Sequence, residues 1–491
     1  MTKERLISYF FERNYMIAPD LFKKIPDDFD YDEFVKKNNL QKAGNVVSLS
    51  EEMFNNFVYK SNINLNNEII TKVEVIDPYV DKPKKREVKD FVLYMKARYH
   101  ALKTILLQRN ELSTAVSISK VHSKKPKEAV AIIGLIYKID KTKNGNYILE
   151  MEDPTGMIKV IITQKNEDLI EIMNELVLDE VVGIVGTVAE NAIFVKEIIF
   201  PDLPLKEYKK CRDDVSVVFL SDLHIGSNLF AKEEFERFID WINLDFGTDE
   251  QKEYAAKVRY LIVSGDLIDG VGIYPGQEKE LTFKDVYEQY NEVARYFSKI
   301  RKDITIVMAA GNHDALRLSE PQPPLNRDFA KKLYQIENVM LVNNPAFVRI
   351  HNMFDILIYH GASFDYYLNN IDILRKAGSY DASDKMMEFI LKKRHLTPTH
   401  ISSMYIPDVE KDPLVINRIP DFFVTGHIHH DIKISSYKNI TLIGCSAFQN
   451  ITAYQEKLGH TNVIPAKVPV VNLKTREIKI MDFRNQEDQD S

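Results

Sequence analysis

Residues 215–224 read Val-Ser-Val-Val-Phe-Leu-Ser-Asp-Leu-His, and the way this run ends decides the fold. Its first six residues, largely β-branched, aromatic or aliphatic, favour a buried strand. The strand then stops on a carboxylate and an imidazole two residues apart, Asp222 and His224. The same design recurs along the chain. Tyr260–Val263 runs into Ser264-Gly265-Asp266-Leu267-Ile268-Asp269, and Ile304–Ala310 into Gly311-Asn312-His313-Asp314. Ile356–Tyr359 ends in His360-Gly361, Phe422–Thr425 in Gly426-His427-Ile428-His429-His430, and Ile440–Ile443 in Gly444-Cys445-Ser446-Ala447. Helical stretches separate these runs, which argues α/β architecture from Asp213 onward. Ligands in such sheets gather outside the carboxyl ends of strands, so the six tips are expected to converge on one edge.

Carboxylate, imidazole and amide oxygen together suit hard to borderline divalent ions. Two such ions are expected, manganese first, with magnesium, iron or zinc as alternatives. A pair about 3.5–4 Å apart can generate hydroxide at neutral pH and clamp the attacking and leaving oxygens of a phosphoryl centre. One carboxylate must bridge the pair, and Asp266 is the natural candidate. Each piece alone is common, since a histidine at a strand end is more often structural than ligating. Their ordered succession is specific.

That order, Asp-x-His, Gly-Asp-x-x-Asp, Gly-Asn-His-Asp, His-Gly and Gly-His-x-His, resembles the calcineurin-like metallophosphoesterases from about Val215 to Asn472. The resemblance implies an αββα two-sheet sandwich with a dinuclear site. By motif position Asp222, His224 and His429 would hold the first metal, and Asn312, His360 and His427 the second, with Asp266 bridging. His313 would be the catalytic residue that does not ligate, protonating or stabilising the leaving oxygen. Asp314 would orient it. Asp269 would support the ligands rather than join them.

The rest of the chain fits around that domain, assigned to residues 206–484. Of 491 residues 45% are hydrophobic and 28% charged, enough to bury sizeable cores; 18 glycines and 19 prolines are too few for a collagenous or wholly disordered chain. The net charge of −7 excludes a uniformly basic coat but not a local basic patch. Two cysteines, Cys211 and Cys445, exclude a disulfide framework and a Cys-rich zinc site, which favours a reducing compartment. Neither an apolar run of about 18 residues nor a signal-peptide pattern occurs. A cytoplasmic protein with no membrane partner is expected.

Residues 1–75 read as a small helical module, patterned around Leu6, Phe10 and Phe11 and around Met53, Phe54, Phe57 and Val58, with helix starts at Asp20 and Ser50. Residues 76–128 form a basic linker and helix. Between Asp81 and Val130 stand 13 Lys and Arg against 5 Asp and Glu, interleaved with Phe91, Tyr94, Tyr99, Leu102, Ile105 and Leu106. A solvated face fits that pattern, and so does an amphipathic helix beside nucleic acid or a partner. Residues 129–205 switch to five short strands, with a helix-like Glu167–Leu176 between the third and fourth, the pattern of an OB-type barrel. Tyr137 and Tyr147 are its main aromatic candidates for a nucleic-acid platform, and a scaffold barrel fits equally. Residues 485–491 form an acidic tail. The fold class expected is multidomain α/β: helical module, five-stranded OB-type barrel and metallophosphoesterase sandwich.

This layout resembles the small-subunit family of archaeal family D DNA polymerases. Asp90-Phe91 through Arg98-Tyr99 to Arg109 is similar to that family's pre-barrel helix, and Leu391-Lys392-Lys393-Arg394-His395-Leu396-Thr397-Pro398-Thr399 to a stretch characteristic of it. The resemblance spans about residues 90–475. It implies a 3′→5′ proofreading exonuclease that acts on DNA, especially single-stranded 3′ ends, and binds the large catalytic polymerase subunit as a heterodimer. Lys392, Lys393, Arg394 and His395 would grip the DNA backbone near the metals, since phosphate contacts give affinity without sequence preference. A solvated helix end is the alternative. The sliding clamp stays open as a further partner, although no clamp-binding peptide stands out. Two other readings remain: a stand-alone phosphoesterase, disfavoured by the barrel and basic helix, and a catalytically silent scaffold, disfavoured by the complete ligand set.

Overall fold

The computed structural model describes residues 10–17, 34, 47–49, 71–80, 82–458 and 463–485. The chain divides into two compact units, residues 1–70 with 236–258, and residues 71–235 with 259–491. In the first, strands β1 (Tyr15–Ile17) and β2 (Val47–Leu49) pair in parallel, and the buried rings of Phe10 and Phe34 meet edge-on at 6.2 Å. The helix starts expected at Asp20 and Ser50, the apolar set from Met53 to Val58, and the tail from residue 486 lie outside the described residues.

The second unit opens with β3 (Val73–Ile76), so the boundary drawn at residue 75 falls inside a strand. Helix α1 (Val88–Leu106) follows. Its start is fixed where the Asp90 carboxylate accepts the Glu87 N–H at 2.9 Å. Tyr94, Arg98, Tyr99, Leu102 and Leu106 are buried at helical spacing, whereas Val88, Val92 and Leu93 are exposed. The apolar face of the basic helix is therefore core: Tyr99, Leu102 and Leu106 pack with Ile133, Leu135 and Val181 of the barrel.

The barrel strands are β4 (Ala129–Lys141), β5 (Tyr147–Asp153), β6 (Gly156–Ile162), β7 (Val181–Val188) and β8 (Ala192–Ile199), with α2 (Glu167–Ile172) before β7. They close in the order β4-β5-β6-β8-β7. Alternation turns Ile132, Leu149, Val160, Ile184 and Ile193 into its core. A register shift between Ile136 and Lys138 bends the long first strand.

The remaining chain carries β9 (Ser216–Leu220), β10 (Val258–Ser264), helix α3 (Val286–Phe297), β11 (Thr305–Ala309), β12 (Val339–Leu341), β13 (Ala346–Ile350), β14 (Phe354–Ile358), helix α4 (Ser383–Lys393), β15 (Phe422–Thr425), β16 (Lys433–Tyr437), β17 (Ile440–Gly444), β18 (Lys467–Asn472) and β19 (Ile478–Asp482). Two six-stranded sheets result, ordered β12-β11-β10-β9-β18-β19 and β16-β17-β15-β14-β13-β3. Strands β9, β10, β14, β15 and β17 are buried along their whole length. Burial on both faces explains why they read as continuous apolar runs rather than alternating ones. The sheets meet where the Phe219 ring of β9 lies 5.9 Å from that of Phe422 of β15. Both cysteines are free and buried. No helix among the described residues is long and apolar enough to cross a membrane.

Candidate metal centre

Where the buried strands end, the chain turns through unusual backbone. Asp222 (φ 53°), His224 (φ 49°), Asp266 (φ 50°), His427 (φ 73°) and His429 (φ 59°) all sit in the left-handed region. Such conformations cost about 1–3 kcal/mol each for residues with a side chain and cluster where geometry is set by function. Two glycines make room for the carboxylates. A Cβ on Gly311 would collide with Asp266, and one on Gly426 with Ser221 and Asp222.

The turns bring the seven expected ligands into two adjoining groups. In the first, His224 Nε2 lies 3.0 Å from His429 Nε2, and His429 Nε2 lies 3.3 Å from Asp222 Oδ1. In the second, Asn312 Oδ1 lies 2.9 Å from both His360 Nε2 and His427 Nδ1. One atom belongs to both: Asp266 Oδ2 is 3.6 Å from His224 Nε2 and 3.3 Å from His360 Nε2. The other Asp266 oxygen accepts the His313 main-chain N–H at 2.8 Å.

Partners outside the two groups orient the rings. His360 Nδ1 lies 3.0 Å from the Ser264 carbonyl, His224 Nδ1 3.0 Å from Asp269 Oδ1, and His427 Nε2 3.0 Å from Asp365 Oδ2. Each partner only accepts, so each ring carries its proton there. In a neutral imidazole the opposite nitrogen then points a lone pair at the centre, the usual posture of a ligating histidine. His429 Nδ1 meets the Gln455 side-chain amide at 2.8 Å. Burial alone would raise the Asp266 carboxyl, but His360 and His313 outweigh it and hold it well below the carboxylate range. Asp222, opposed by the same burial, is drawn down to about 2 by His429. Burial lowers His360, yet Asp266 beside it lifts that ring to about 10. The centre is thus a compact set of anionic oxygens and imidazoles, which suits divalent ions rather than anions.

His313 lies against this centre, its ring centroid 4.5 Å from that of His224. Burial pushes its imidazole down to about 4, so it is neutral at pH 7. Its Nδ1 lies 2.8 Å from the Asp269 carbonyl, which leaves Nε2 as the available atom. Here the expectation for Asp314 fails. The Asp314 carboxylate does not reach the His313 ring: it accepts the N–H groups of Gly311 at 2.8 Å and Leu267 at 3.3 Å, and the Tyr290 hydroxyl of α3 at 3.1 Å. It ties two strand tips together, and burial raises it to about 7. Orientation falls instead to Asp269, whose carboxylate is held by Gln277 at 2.8 Å and Gln449 at 2.9 Å. Asp365, Gln277, Gln449 and Gln455 carried no recognised signal, although Thr452-Ala453-Tyr454-Gln455 is a capping-box pattern.

The basic cluster is a second correction. Lys393 is fully buried, with Nζ 2.7 Å from Glu180 Oε2, and Lys392 Nζ is 2.6 Å from Glu175 Oε1. Arg394 donates to the carbonyls of Ile416 at 2.6 Å and Asn417 at 2.9 Å. His395 is buried, its Nε2 2.8 Å from Asp412 Oδ2. α4 ends at Arg394 in a left-handed turn, and these side chains join the α/β sheets to the barrel instead of facing DNA.

Residues 217–432, from β9 to just past His429, match the family of the DNA polymerase alpha/epsilon B-subunits, so the class is that of polymerase accessory subunits. The chain is 41% identical over 399 residues to the DNA polymerase II small subunit of Methanothermobacter thermautotrophicus, covering 81% of this chain and 80% of that protein. It is 36% identical over 388 residues to the one from Methanocaldococcus jannaschii (79% of this chain, 64% of that protein), and 32% over 466 residues to the one from Thermoplasma acidophilum (89% and 91%). The chain belongs to the family of small subunits of archaeal family D DNA polymerase.

Proposed function

We propose that this chain is the proofreading 3′→5′ exonuclease of a two-subunit replicative polymerase, hydrolysing DNA phosphodiesters at a dinuclear metal centre while supporting the large catalytic subunit. The observation that carries the reading is the position of Asp266 Oδ2 between two donor groups, 3.6 Å from His224 and 3.3 Å from His360. Asp222, His224 and His429 would hold one ion, Asn312, His360 and His427 the other, and Asp266 both. The closed barrel is read as OB-type and the paired sheets as a metallophosphoesterase sandwich, which would set the centre at the strand tips.

Divalent ions there, manganese first among them, would acidify a water and neutralise phosphate charge. The protein's own residues do the rest. Asp266 is pinned by the His313 N–H, so the shared oxygen does not swing away. The Asp269 carbonyl fixes the His313 ring and turns Nε2 toward the leaving 3′ oxygen, where it accepts or returns a proton. The test is degradation of 3′-labelled and 5′-labelled single-stranded and mismatched DNA with manganese, a chelator control and His313→Ala. Release from the 3′ end that needs both metal and His313 is expected. Silence on every DNA with the large subunit present overturns the reading.

A further inference from the structure

Two aromatic rings outside the ligand set stack beside it. Tyr274 and Tyr454 lie with ring centroids 5.2 Å apart and planes 16° from parallel, and the Tyr274 centroid is 6.4 Å from that of His313. Tyr454 is 42% exposed, and Val271 and Ile273 on the Tyr274 loop are exposed as well. An open aromatic face therefore stands within two ring contacts of the proposed catalytic histidine.

Each ring is held by residues that also hold the centre. The Tyr274 loop leaves Asp269 through Gly270 at φ 75°, where a Cβ would collide with the His313 carbonyl. That close approach needs glycine and lays the loop directly on the His313 turn. Gln277 closes the loop, accepting the Ile273 N–H at 2.9 Å and donating to the Asp269 carbonyl and carboxylate, both at 2.8 Å. The Tyr274 hydroxyl is spent on Glu280 at 2.8 Å, so its ring is what remains to offer. On the other side, Thr452 and Gln455 cap each other at 2.9 and 3.1 Å, fixing the turn that carries Tyr454, and Gln455 also touches His429.

We propose that Tyr454, backed by Tyr274, is the stacking platform for the unpaired 3′-terminal base of single-stranded DNA. The proposal rests on the exonuclease reading and names how that site selects its substrate. Bases stack on aromatic rings with little sequence preference, because every base has a π-face. A base still paired in duplex must first leave its stack, whereas a mismatched or single-stranded end has that cost already removed. A platform next to His313 thus favours frayed ends over paired ones.

The experiment places 2-aminopurine at the 3′ end of a single-stranded oligonucleotide and titrates it with the full chain in chelator, where nothing is cut. Wild type and Tyr454→Phe are expected to quench the fluorophore, whereas Tyr454→Ala loses the quenching and binds about tenfold more weakly. With manganese, Tyr454→Ala is expected to raise KM for single-stranded DNA and leave kcat for an oligonucleotide with an abasic 3′ terminus as in wild type. Tyr454-dependent quenching without any nuclease activity keeps the platform and removes the exonuclease reading. Nuclease activity with Tyr454→Ala indistinguishable from wild type in quenching and KM, or a wild type that does not quench, overturns the platform.

Discussion

The main-chain N–H of His313 donates to Oδ1 of Asp266 at 2.8 Å, while the His313 ring is held separately by the Asp269 carbonyl. The two duties of residue 313 therefore sit on different atoms. His313→Ala keeps the peptide N–H and so keeps Asp266 in place. It should lower kcat by about 10²–10⁴-fold, the usual contribution of a positioned acid or base, with manganese content unchanged. Metal analysis beside single-turnover kinetics on 3′-labelled DNA checks this; loss of the ions together with activity would assign the residue a ligand's role.

Asp365 offers a complementary separation. Its carboxylate is half-exposed and meets His427 Nε2 at 3.0 Å, so it orients that ring without belonging to either core. Asp365→Ala should weaken manganese binding at the Asn312, His360 and His427 group by about 10–100-fold, the typical loss when a ligand's supporting partner is removed. Titration calorimetry should show the other group filling first, with little change in thermal stability.

The buried Asp412 sets an acid limit on the fold. Its carboxylate accepts Tyr94 Oη at 2.7 Å, Arg98 Nε at 2.8 Å and His395 Nε2 at 2.8 Å. The Thr397 N–H donates to His395 Nδ1 at 3.0 Å, so that nitrogen must carry a lone pair and the ring must be neutral. Burial and the nearby Arg98 accordingly lower His395 from 6.5 to about 4. The unfolded chain then binds more protons than the folded one between those values, and stability rises with pH across that window. Asp412, held below its usual 3.8 by His395 and Arg98 against the burial that would raise it, adds a further loss at lower pH. Thermal unfolding should be level above pH 6.5 and decline from there toward pH 4. His395→Gln should flatten that decline.

Much of the centre was legible because buried strands cannot hide their ends. A run such as Val215–Leu220 that stops on Asp222 and His224 announces both a strand and a polar tip. What stayed hidden were partners far apart in sequence. The helix spacing of Tyr94 and Arg98 gives an amphipathic face, but nothing local says that its partner is Asp412, more than 300 residues away. Asp314 follows His313 directly, and adjacency suggested a contact that the left-handed turns at the strand tips do not allow. The Lys392 to His395 run looked like a surface grip because lysine and arginine are usually solvated. Glu175 and Glu180, which claim Lys392 and Lys393, belong to the barrel.

Lys393 and Glu180 yield the sharpest test of that correction. Both side chains are buried, with Nζ and Oε2 2.7 Å apart. Burial pushes Glu180 up and Lys393 down despite their attraction, so desolvation opposes both charges. Removing either partner strands the other, and Lys393→Met or Glu180→Leu alone should each cost about 3–5 kcal/mol. The double variant replaces the pair by apolar groups of similar volume and should recover most of that loss. Denaturant unfolding of the four proteins measures the coupling, and a salt titration of DNA binding completes the argument. A lysine on phosphate would reduce the salt slope by about one when removed, whereas a structural Lys393 leaves that slope unchanged in the refolded double variant.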